Sequence, residues 1–263
     1  MKAVTVRTLH DIKREGQRFC CVTAYDASFA RAAESAGIET LLIGDSLGMV
    51  LQGHASTLPV TVADVAYHTR CVSRAVTRPM VIADMPFMSY GSTGDTLNNA
   101  AELMRAGAHM VKLEGGAWLF DSVRALTERG VPVCGHLGLT PQSVNSFGGW
   151  IVQGRDPEDA ERIFRDAHGL QEAGASMLVL ECVPRALAAR VSASLSIPVI
   201  GIGAGHATDA QVLVMHDLLG MNPRPPRFVR NFLADGGSIQ GALEAYGRAV
   251  REGSFPAQEH GFD

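Results

Sequence analysis

Short apolar runs rich in β-branched residues alternate along the chain with alanine-rich segments of helical period. Apolar runs of this length, bounded by glycine or polar residues, are typical of buried strands in a parallel sheet. Eight runs predict strands: FCCVTAY (19–25), TLLIGD (40–45), PMVIAD (79–84), HMVKLE (109–114), VPVCGHL (131–137), SMLVLE (176–181), IPVIGIGAG (197–205) and AQVLVMHD (210–217). The eighth is the least distinct, because its length and residues would also fit a helix.

Helix-period segments fill most of the gaps between these strands, and several end at a glycine, a common residue at a helix C-terminus. Helices are predicted over residues 26–37, 61–77, 94–106, 117–129, 157–173 and 184–195. Two amphipathic segments, about 225–234 and 238–251, close the chain. This order favours a single (β/α)8 TIM barrel domain over residues 1–263, with a C-terminal helical extension. A doubly wound open sheet is the alternative, but no GxGxxG fingerprint follows the first strand.

Four of the predicted strands end on a carboxylate, at Asp45, Asp84, Glu114 and Glu181. His136 ends the fifth strand. Because barrel active sites form at the C-terminal ends of the strands, we expect these side chains to share one mouth. Taken alone, each of these acids would be interpreted as a helix cap or as part of a loop ion pair. Four carboxylates at equivalent strand ends favour a functional site instead. Lys112 supports this interpretation, because it lies on the same side of its strand as Glu114.

Carboxylates that share a cleft repel each other, and a hard divalent cation would offset that repulsion. Mg2+ prefers oxygen ligands and usually leaves positions for water or substrate. Three acids from neighbouring strands could hold it, while Glu181, further round the barrel, could act as a base. Lys112 would need a carboxylate or an anionic substrate as partner. His136 is equally compatible with a structural role.

The composition, with 46% hydrophobic and 19% charged residues, is that of an ordinary globular protein. A net charge of −4 argues against nucleic-acid binding, and the small cluster of Arg224, Arg227 and Arg230 favours a solvated surface. Five cysteines without CxxC spacing predict buried, reduced thiols, a lone cysteine nucleophile being the less favoured alternative. With no apolar signal segment and no run of ~20 apolar residues, we expect a soluble, cytoplasmic protein.

The GIGAG run (201–205) is similar to a phosphate-binding barrel loop, in which glycines expose backbone N–H groups to an anion. The same glycines could instead permit a tight turn or close packing. His206, next to them, could lie in a loop or line the mouth.

Long and distinctive segments resemble the ketopantoate hydroxymethyltransferase family, from VTAYDASFA almost to the C-terminal QEHGF. They are LLIGDSLGMVLQGHASTLPVTVADVAYHTRCV, IADMPFMSYG, AGAHMVKLEGG, PVCGHLGLTPQSVNSFGG and GIGAGHATDAQVLVMHD. The resemblance implies transfer of a hydroxymethyl group from 5,10-methylenetetrahydrofolate to 2-oxoisovalerate, giving ketopantoate for pantothenate and coenzyme A synthesis. It also implies a barrel of the phosphoenolpyruvate/isocitrate lyase type, a Mg2+ ion and a homo-oligomer, typically a decamer.

The resemblance also implies roles for individual residues. The metal ligands would be Asp45, Asp84 and Glu114. The 2-oxoacid would contact Asp45, Ser46, Asp84, Lys112 and His136. Glu181 would accept the proton from C3 of the substrate, and Mg2+ would stabilise the resulting enolate.

Three positions depart from the family pattern. Trp150 and Ile151 stand where the family commonly has Tyr or Phe followed by Lys, and His206 replaces a frequent Asn. These departures concern folate contacts or a lid rather than the acid cluster. The alternatives are a Mg2+-dependent 2-oxoacid enzyme of the phosphoenolpyruvate/isocitrate lyase type that works without folate, and a catalytically silent binding or scaffold barrel. The intact set of acids and lysine argues against the silent barrel.

Overall fold

Eight parallel strands close into a barrel in the order in which they occur in the chain, and β8 pairs with β1. The structure is a computed structural model that describes residues 2–263. The strands are β1 Phe19–Thr23, β2 Thr40–Ile43, β3 Met80–Asp84, β4 Met110–Glu114, β5 Val133–Gly138, β6 Met177–Glu181, β7 Val199–Ile202 and β8 Ala210–Leu213. The predicted barrel is confirmed, and the open-sheet alternative is wrong.

The eighth apolar run is divided between two elements. Its first four residues form β8, which pairs with β7 and β1. The chain then turns at Val214 into a one-turn helix, Met215–Leu218. The prediction of a strand over 210–217 is therefore right for its first half only, and the helical alternative describes the second half.

Helices surround the barrel at nearly all the predicted positions. They are α1 Val6–Arg14, α2 Ala27–Ser35, α3 Leu47–Val50, α4 Val62–Ser73, α5 Thr93–Arg105, α6 Phe120–Thr127, α7 Val144–Phe147, α8 Pro157–Glu172, α9 Arg185–Ser194, α10 Met215–Leu218, α11 Leu233–Gly236 and α12 Ile239–Glu252. Residues 225–232 form no helix, because Pro225 and Pro226 cannot donate backbone hydrogen bonds. The last helix, α12, packs against α2 and β1 and so belongs to the helical layer of the barrel. A separate C-terminal helical extension stays a prediction.

The helices begin where a short polar side chain can accept hydrogen bonds from the first free N–H groups. Asp26 accepts from two N–H groups at the start of α2, and Asp156 does the same at α8, where Pro157 follows. Thr61 and Asp64 form a reciprocal capping box at α4. These caps satisfy donors that have no partner inside the helix, and they explain why local sequence located the helices so well.

Alternate strand residues build two separate apolar layers. One set packs outward against the helices, and the other fills the barrel interior, where Ile82, Met110, Cys134 and Val179 pack together. Leu9 of α1 is fully buried in the same interior cluster. Because side chains alternate along a strand, the next inward position after each of these apolar residues lies nearer the C-terminal mouth.

The cysteines lie within these layers. Cys20, Cys21, Cys134 and Cys182 are buried free thiols, and Cys71 is partly exposed. The prediction of reduced thiols agrees with this arrangement. Within residues 2–263 no helix has both the length and the apolar character needed to cross a membrane.

Candidate active site

Polar side chains lie at or just past the C-terminal ends of strands β2 to β6, and they line a cavity of about 530 Å³. The structure brings all seven predicted site residues into this one cavity: Asp45, Ser46, Asp84, Lys112, Glu114, His136 and Glu181. Below them, apolar side chains of Leu42, Val179 and Val212 form the inner wall. The mouth therefore combines a buried polar cluster with an apolar floor.

Lys112 lies at the centre of the cluster. Its Nζ is 2.6 Å from Asp84 Oδ1 and 3.5 Å from Glu114 Oε1, and the side chain is almost fully buried. Burial alone would lower the pKa of Lys112, but the attraction of Asp84, Glu114 and Asp45 raises it well above the ordinary lysine value. The ammonium therefore stays charged, and its required partner is a carboxylate.

Asp45 and Asp84 lie next to each other at the ends of β2 and β3. The backbone N–H of Asp45 donates to Asp84 Oδ2 at 2.9 Å. Burial raises the pKa of Asp45 well above its usual range, and repulsion from Asp84 and Glu114 adds to the rise. Burial also raises the pKa of Asp84, although Lys112 partly offsets it. The two raised pKa values reflect the cost of burying several acids close together.

His136 connects Glu114 to Glu181. Its Nδ1 is 3.1 Å from Glu114 Oε1, and its Nε2 is 3.3 Å from Glu181 Oε2, without the alignment of a hydrogen bond. Burial and Lys112 would lower the pKa of His136, but Glu114 and Glu181 raise it to about 9. Burial would raise the pKa of Glu114, but His136 and Lys112 hold it below its usual value. His136 and Glu114 thus form an ion pair near neutral pH.

Ser46 follows Asp45 in the turn after β2. Its Oγ is 2.9 Å from the Tyr25 hydroxyl. A Cβ placed on Gly44 would lie 2.8 Å from Ser46 Oγ and 3.4 Å from Asp84 Oδ2. The glycine in LLIGDS therefore allows the backbone to pass close to both polar side chains.

Gln142 contacts the acids of the site and Tyr90 contacts Gln142, although no sequence pattern predicts either residue. Gln142 lies in the 3₁₀ turn Pro141–Ser143 after β5, and its side-chain amide donates to Asp45 Oδ2 at 2.9 Å. The Tyr90 hydroxyl donates to Gln142 Oε1. A polar residue in a loop has no periodicity, so the only available signal was its position six residues after His136.

The chemistry of the cluster suits a hard divalent cation. When all groups are ionised, the four carboxylates outnumber Lys112 and protonated His136 by two charges, and every acidic donor is oxygen. Asp84 Oδ1 is buried and accepts no well-aligned hydrogen bond. Within residues 2–263, however, no three acidic, histidine or cysteine side chains already surround a common metal position. Donor type and charge fit the ion, and Lys112 provides the counter-charge in this arrangement.

The outer rim of the cavity contains residues that were not predicted to belong to the acid cluster. Arg224 and Arg227 are exposed, as expected of solvated surface, but they also line the cavity together with Phe228. Trp150 lines it too and is 51% exposed, so this departure from the family pattern lies at the entrance. His206 is exposed in the loop after β7.

The glycines after β7 serve close packing. A Cβ on Gly203 would lie 2.9 Å from the Phe228 ring, and one on Gly205 would lie 2.6 Å from the Arg185 side chain. No helix begins between β7 and β8. The contacts support the packing interpretation of GIGAG over the phosphate-binding one.

Comparison with known proteins identifies the family of this barrel. A sequence profile described as Ketopantoate hydroxymethyltransferase matches residues 3–258. The chain belongs to the ketopantoate hydroxymethyltransferase family. It is therefore an enzyme, a hydroxymethyltransferase, as its sequence predicted.

Members of the ketopantoate hydroxymethyltransferase family match this chain over its whole length. The 3-methyl-2-oxobutanoate hydroxymethyltransferase of Shewanella frigidimarina (strain NCIMB 400) is 60% identical over 264 residues, which cover 100% of both chains. The enzyme of the same name from Chromohalobacter salexigens is 59% identical over 263 residues and is also covered completely.

Solved structures with little sequence identity share the fold. Phosphoenolpyruvate phosphomutase from Streptomyces platensis subsp. rosaceus superposes with a TM-score of 0.64 at 17% identity, over 84% of this chain and 83% of the other. A 2,3-dimethylmalate lyase of the PEP mutase/isocitrate lyase superfamily gives 0.59 at 19% identity, over 81% of both chains. The fold is thus a (β/α)8 barrel like those of that superfamily, as predicted.

Proposed function

We propose that this enzyme transfers a hydroxymethyl group from 5,10-methylenetetrahydrofolate to 3-methyl-2-oxobutanoate (2-oxoisovalerate). The product would be ketopantoate, an intermediate of pantothenate and coenzyme A synthesis. One observation carries the proposal: a cavity that joins a carboxylate cluster, a buried lysine and a separate Glu181, in a chain 60% identical to a named hydroxymethyltransferase.

The cavity suits a small, branched 2-oxoacid. We assign its carboxylate to Lys112, with hydrogen bonds from Ser46 and His136, because these donors lie in the cavity beside the carboxylate cluster. The apolar wall formed by Val179 and Val212 suits the isopropyl group. This orientation directs C3 of the substrate toward the side of the barrel on which Glu181 lies.

Asp45, Asp84 and Glu114 are proposed to hold Mg2+, and Asp45 and Asp84 would also contact the substrate. A divalent ion supplies two positive charges, and when bound it would draw electron density from the 2-oxo group. The carboxylates need no large movement of the backbone, since all three lie at the ends of adjacent strands β2, β3 and β4. Lys112 remains beside Asp84, where it can also face the substrate carboxylate.

Glu181 is the proposed base. Its carboxylate would take the C3 proton, the C–H bonding electrons would form the C2–C3 double bond, and the carbonyl π electrons would move onto the 2-oxo oxygen. The C2–C3 π electrons would then bond C3 to the folate methylene carbon as the 2-oxo group re-forms and one C–N bond of the methylene bridge breaks. Water would replace the second folate nitrogen on that carbon, which leaves a hydroxymethyl group on C3 and releases tetrahydrofolate. Glu181 suits this role because its side chain is 14% exposed, whereas Asp84 and Glu114 are 3% and 2% exposed. Unlike Asp84 and Glu114, Glu181 forms no ion pair with Lys112.

The rim offers contacts for the second substrate. Trp150 presents an aromatic face, and Arg224 and Arg227 present positive charge, near the entrance. A folate has an aromatic pterin and an anionic glutamate, so both features are complementary to it. The departures at Trp150 and Ile151 would then affect folate affinity rather than proton removal.

A homo-oligomer is also proposed, with the decamer as the size that the family resemblance implies. Large apolar side chains on the surface support association: Tyr67, Met88 and Trp118 are 58%, 67% and 62% exposed. Sedimentation analysis of the purified protein measures the size directly.

A product assay tests the proposed function. The enzyme is incubated with 3-methyl-2-oxobutanoate and 5,10-methylenetetrahydrofolate, and ketopantoate is quantified. We expect turnover that a chelator abolishes and added Mg2+ restores. A folate-independent 2-oxoacid lyase would leave ketopantoate unformed while consuming the 2-oxoacid, and that outcome would refute the assignment.

A further inference from the structure

We propose that Gln142 is a positioning residue that holds the carboxylates of Asp45 and Glu114 in the arrangement that binds a divalent cation, and that Tyr90 fixes the Gln142 amide. The inference rests on the proposed function, because that proposal assigns both carboxylates to the metal. Gln142 itself has no assigned role there.

The contacts of Gln142 reach both acids. Its side-chain Nε2 donates to Asp45 Oδ2 at 2.9 Å and to the Met85 carbonyl at 3.0 Å. Its backbone N–H donates to Glu114 Oε2 at 3.1 Å. One residue of the loop after β5 thus contacts the ends of β2, β3 and β4. The two carboxylates are held by different parts of Gln142, one by the amide and the other by the backbone.

The chemistry of the partners determines which way the amide faces. The Met85 carbonyl can only accept, and so can the ionised Asp45 carboxylate, so the NH2 group of Gln142 must face them. Oε1 then faces Tyr90, whose hydroxyl must donate to it. Turning the amide over would place its oxygen against the oxygens of Asp45 and Met85, and it would lose the hydrogen bond from Tyr90. The other acceptor within reach of the Tyr90 hydroxyl, the Glu114 carbonyl, is 3.4 Å away.

The network is buried, so each contact is costly to lose. Gln142 is 6% exposed and Tyr90 is 4% exposed. The Tyr90 ring also stacks on Trp118, with ring centroids 5.8 Å apart and planes at 11°. Water cannot readily replace a lost amide donor in such a site. Without Gln142, repulsion from Asp84 and Glu114 would be free to turn the Asp45 side chain away from the cluster.

Two variants separate positioning from general structural support. Gln142→Met keeps the length of the side chain and the backbone N–H to Glu114, but it removes the amide from Asp45. Tyr90→Phe keeps the ring and removes only the hydroxyl. The matched controls are Gln240→Met on α12 and Tyr67→Phe on α4, which make the same chemical changes away from the cavity.

The measurement is the affinity for Mn2+ as a probe metal, by isothermal titration calorimetry on the full chain, together with Tm and the split between kcat and KM. We expect Gln142→Met to weaken Mn2+ binding about 10- to 100-fold, as loss of a partner that orients a metal ligand typically does. Tyr90→Phe should weaken it about two- to tenfold, the value of one hydrogen bond. The controls should bind like the parent.

Unchanged Mn2+ affinity in Gln142→Met, with only a lower Tm, would show a structural role and overturn the inference. The inference is equally overturned if Tyr90→Phe weakens binding more than Gln142→Met, since Tyr90 is argued to act through the amide. If the parent itself binds no Mn2+, the metal assignment in the proposed function fails together with this inference. If the parent and both variants bind Mn2+ with the same affinity, this inference fails while the proposed function stands.

Discussion

Replacement of Glu181 with glutamine removes the proposed base while leaving the shape of the cavity unchanged. The backbone of residue 181 is held independently of its side chain, because its carbonyl accepts the N–H of Leu139 at 2.8 Å and β6 pairs with β5 and β7. The side chain has one close partner, His136 Nε2, without hydrogen-bond alignment. Glu114 remains a partner of His136 in the variant, and glutamine keeps a polar group beside the ring, so Glu181→Gln should lower the free energy of unfolding by about 1 kcal/mol.

The chemical effect should be far larger than the effect on stability. A positioned general base typically contributes about 10²- to 10⁴-fold to a proton transfer. That range corresponds to about 3 to 5 kcal/mol of activation free energy, at 1.36 kcal/mol for each factor of ten. Affinity for Mg2+ and for the 2-oxoacid should remain within about threefold of the parent, because Glu181 contacts neither Lys112 nor the proposed metal ligands.

Exchange of the C3 proton with solvent deuterium reports on this step alone. Proton NMR in D2O follows the loss of the C3 signal of 3-methyl-2-oxobutanoate, with Mg2+ and without folate. Glu172→Gln, an exposed glutamate at the end of α8, is the matched control and should exchange like the parent. Exchange at the parental rate in Glu181→Gln would place the base elsewhere. Loss of Mg2+ affinity in that variant would instead make Glu181 a metal ligand.

Two further substitutions test the electrostatics and the backbone of the site. Lys112→Met leaves the Asp84 carboxylate buried without its cation, so we expect a loss of about 3 to 5 kcal/mol in denaturant unfolding at neutral pH. This loss of stability should become smaller at acidic pH, because burial raises the folded-state pKa of Asp84 and protonation removes the unpaired charge. A loss that stays constant across pH would show that the unpaired charge of Asp84 is not its cause. Gly138 has φ +92°, and a Cβ there would lie 2.2 Å from the Glu181 carbonyl oxygen, so Gly138→Ala should displace β6 and abolish proton exchange. Gly237→Ala is its control: φ is +66° but no atom lies within 4 Å, so only about 1 to 2 kcal/mol should be lost and exchange retained.

Local sequence determined the barrel and the membership of its acid cluster. Strand and helix periods depend on neighbours a few positions away, and N-caps such as Asp26 and Thr61 act within three residues, so both can be read from the chain. Side-chain alternation is equally local, so an acid two positions after a buried residue such as Ile82 had to face the mouth. The extent of the eighth strand was beyond local reasoning, since only pairing with β1 and β7 decides where it ends.

Tertiary structure alone decided how the acids are held. Gln142 and Asp45 are 97 positions apart, and their hydrogen bond exists only because barrel closure brings the loop after β5 over the end of β2. The sequence predicted that Lys112 would need a carboxylate or an anionic substrate, and the packed cavity places it 2.6 Å from Asp84. The physical reason is that the alternation of residues along a strand predicts only which side of the sheet a side chain faces. Its partner and its pKa depend on distances between segments, and only the closed barrel defines those distances.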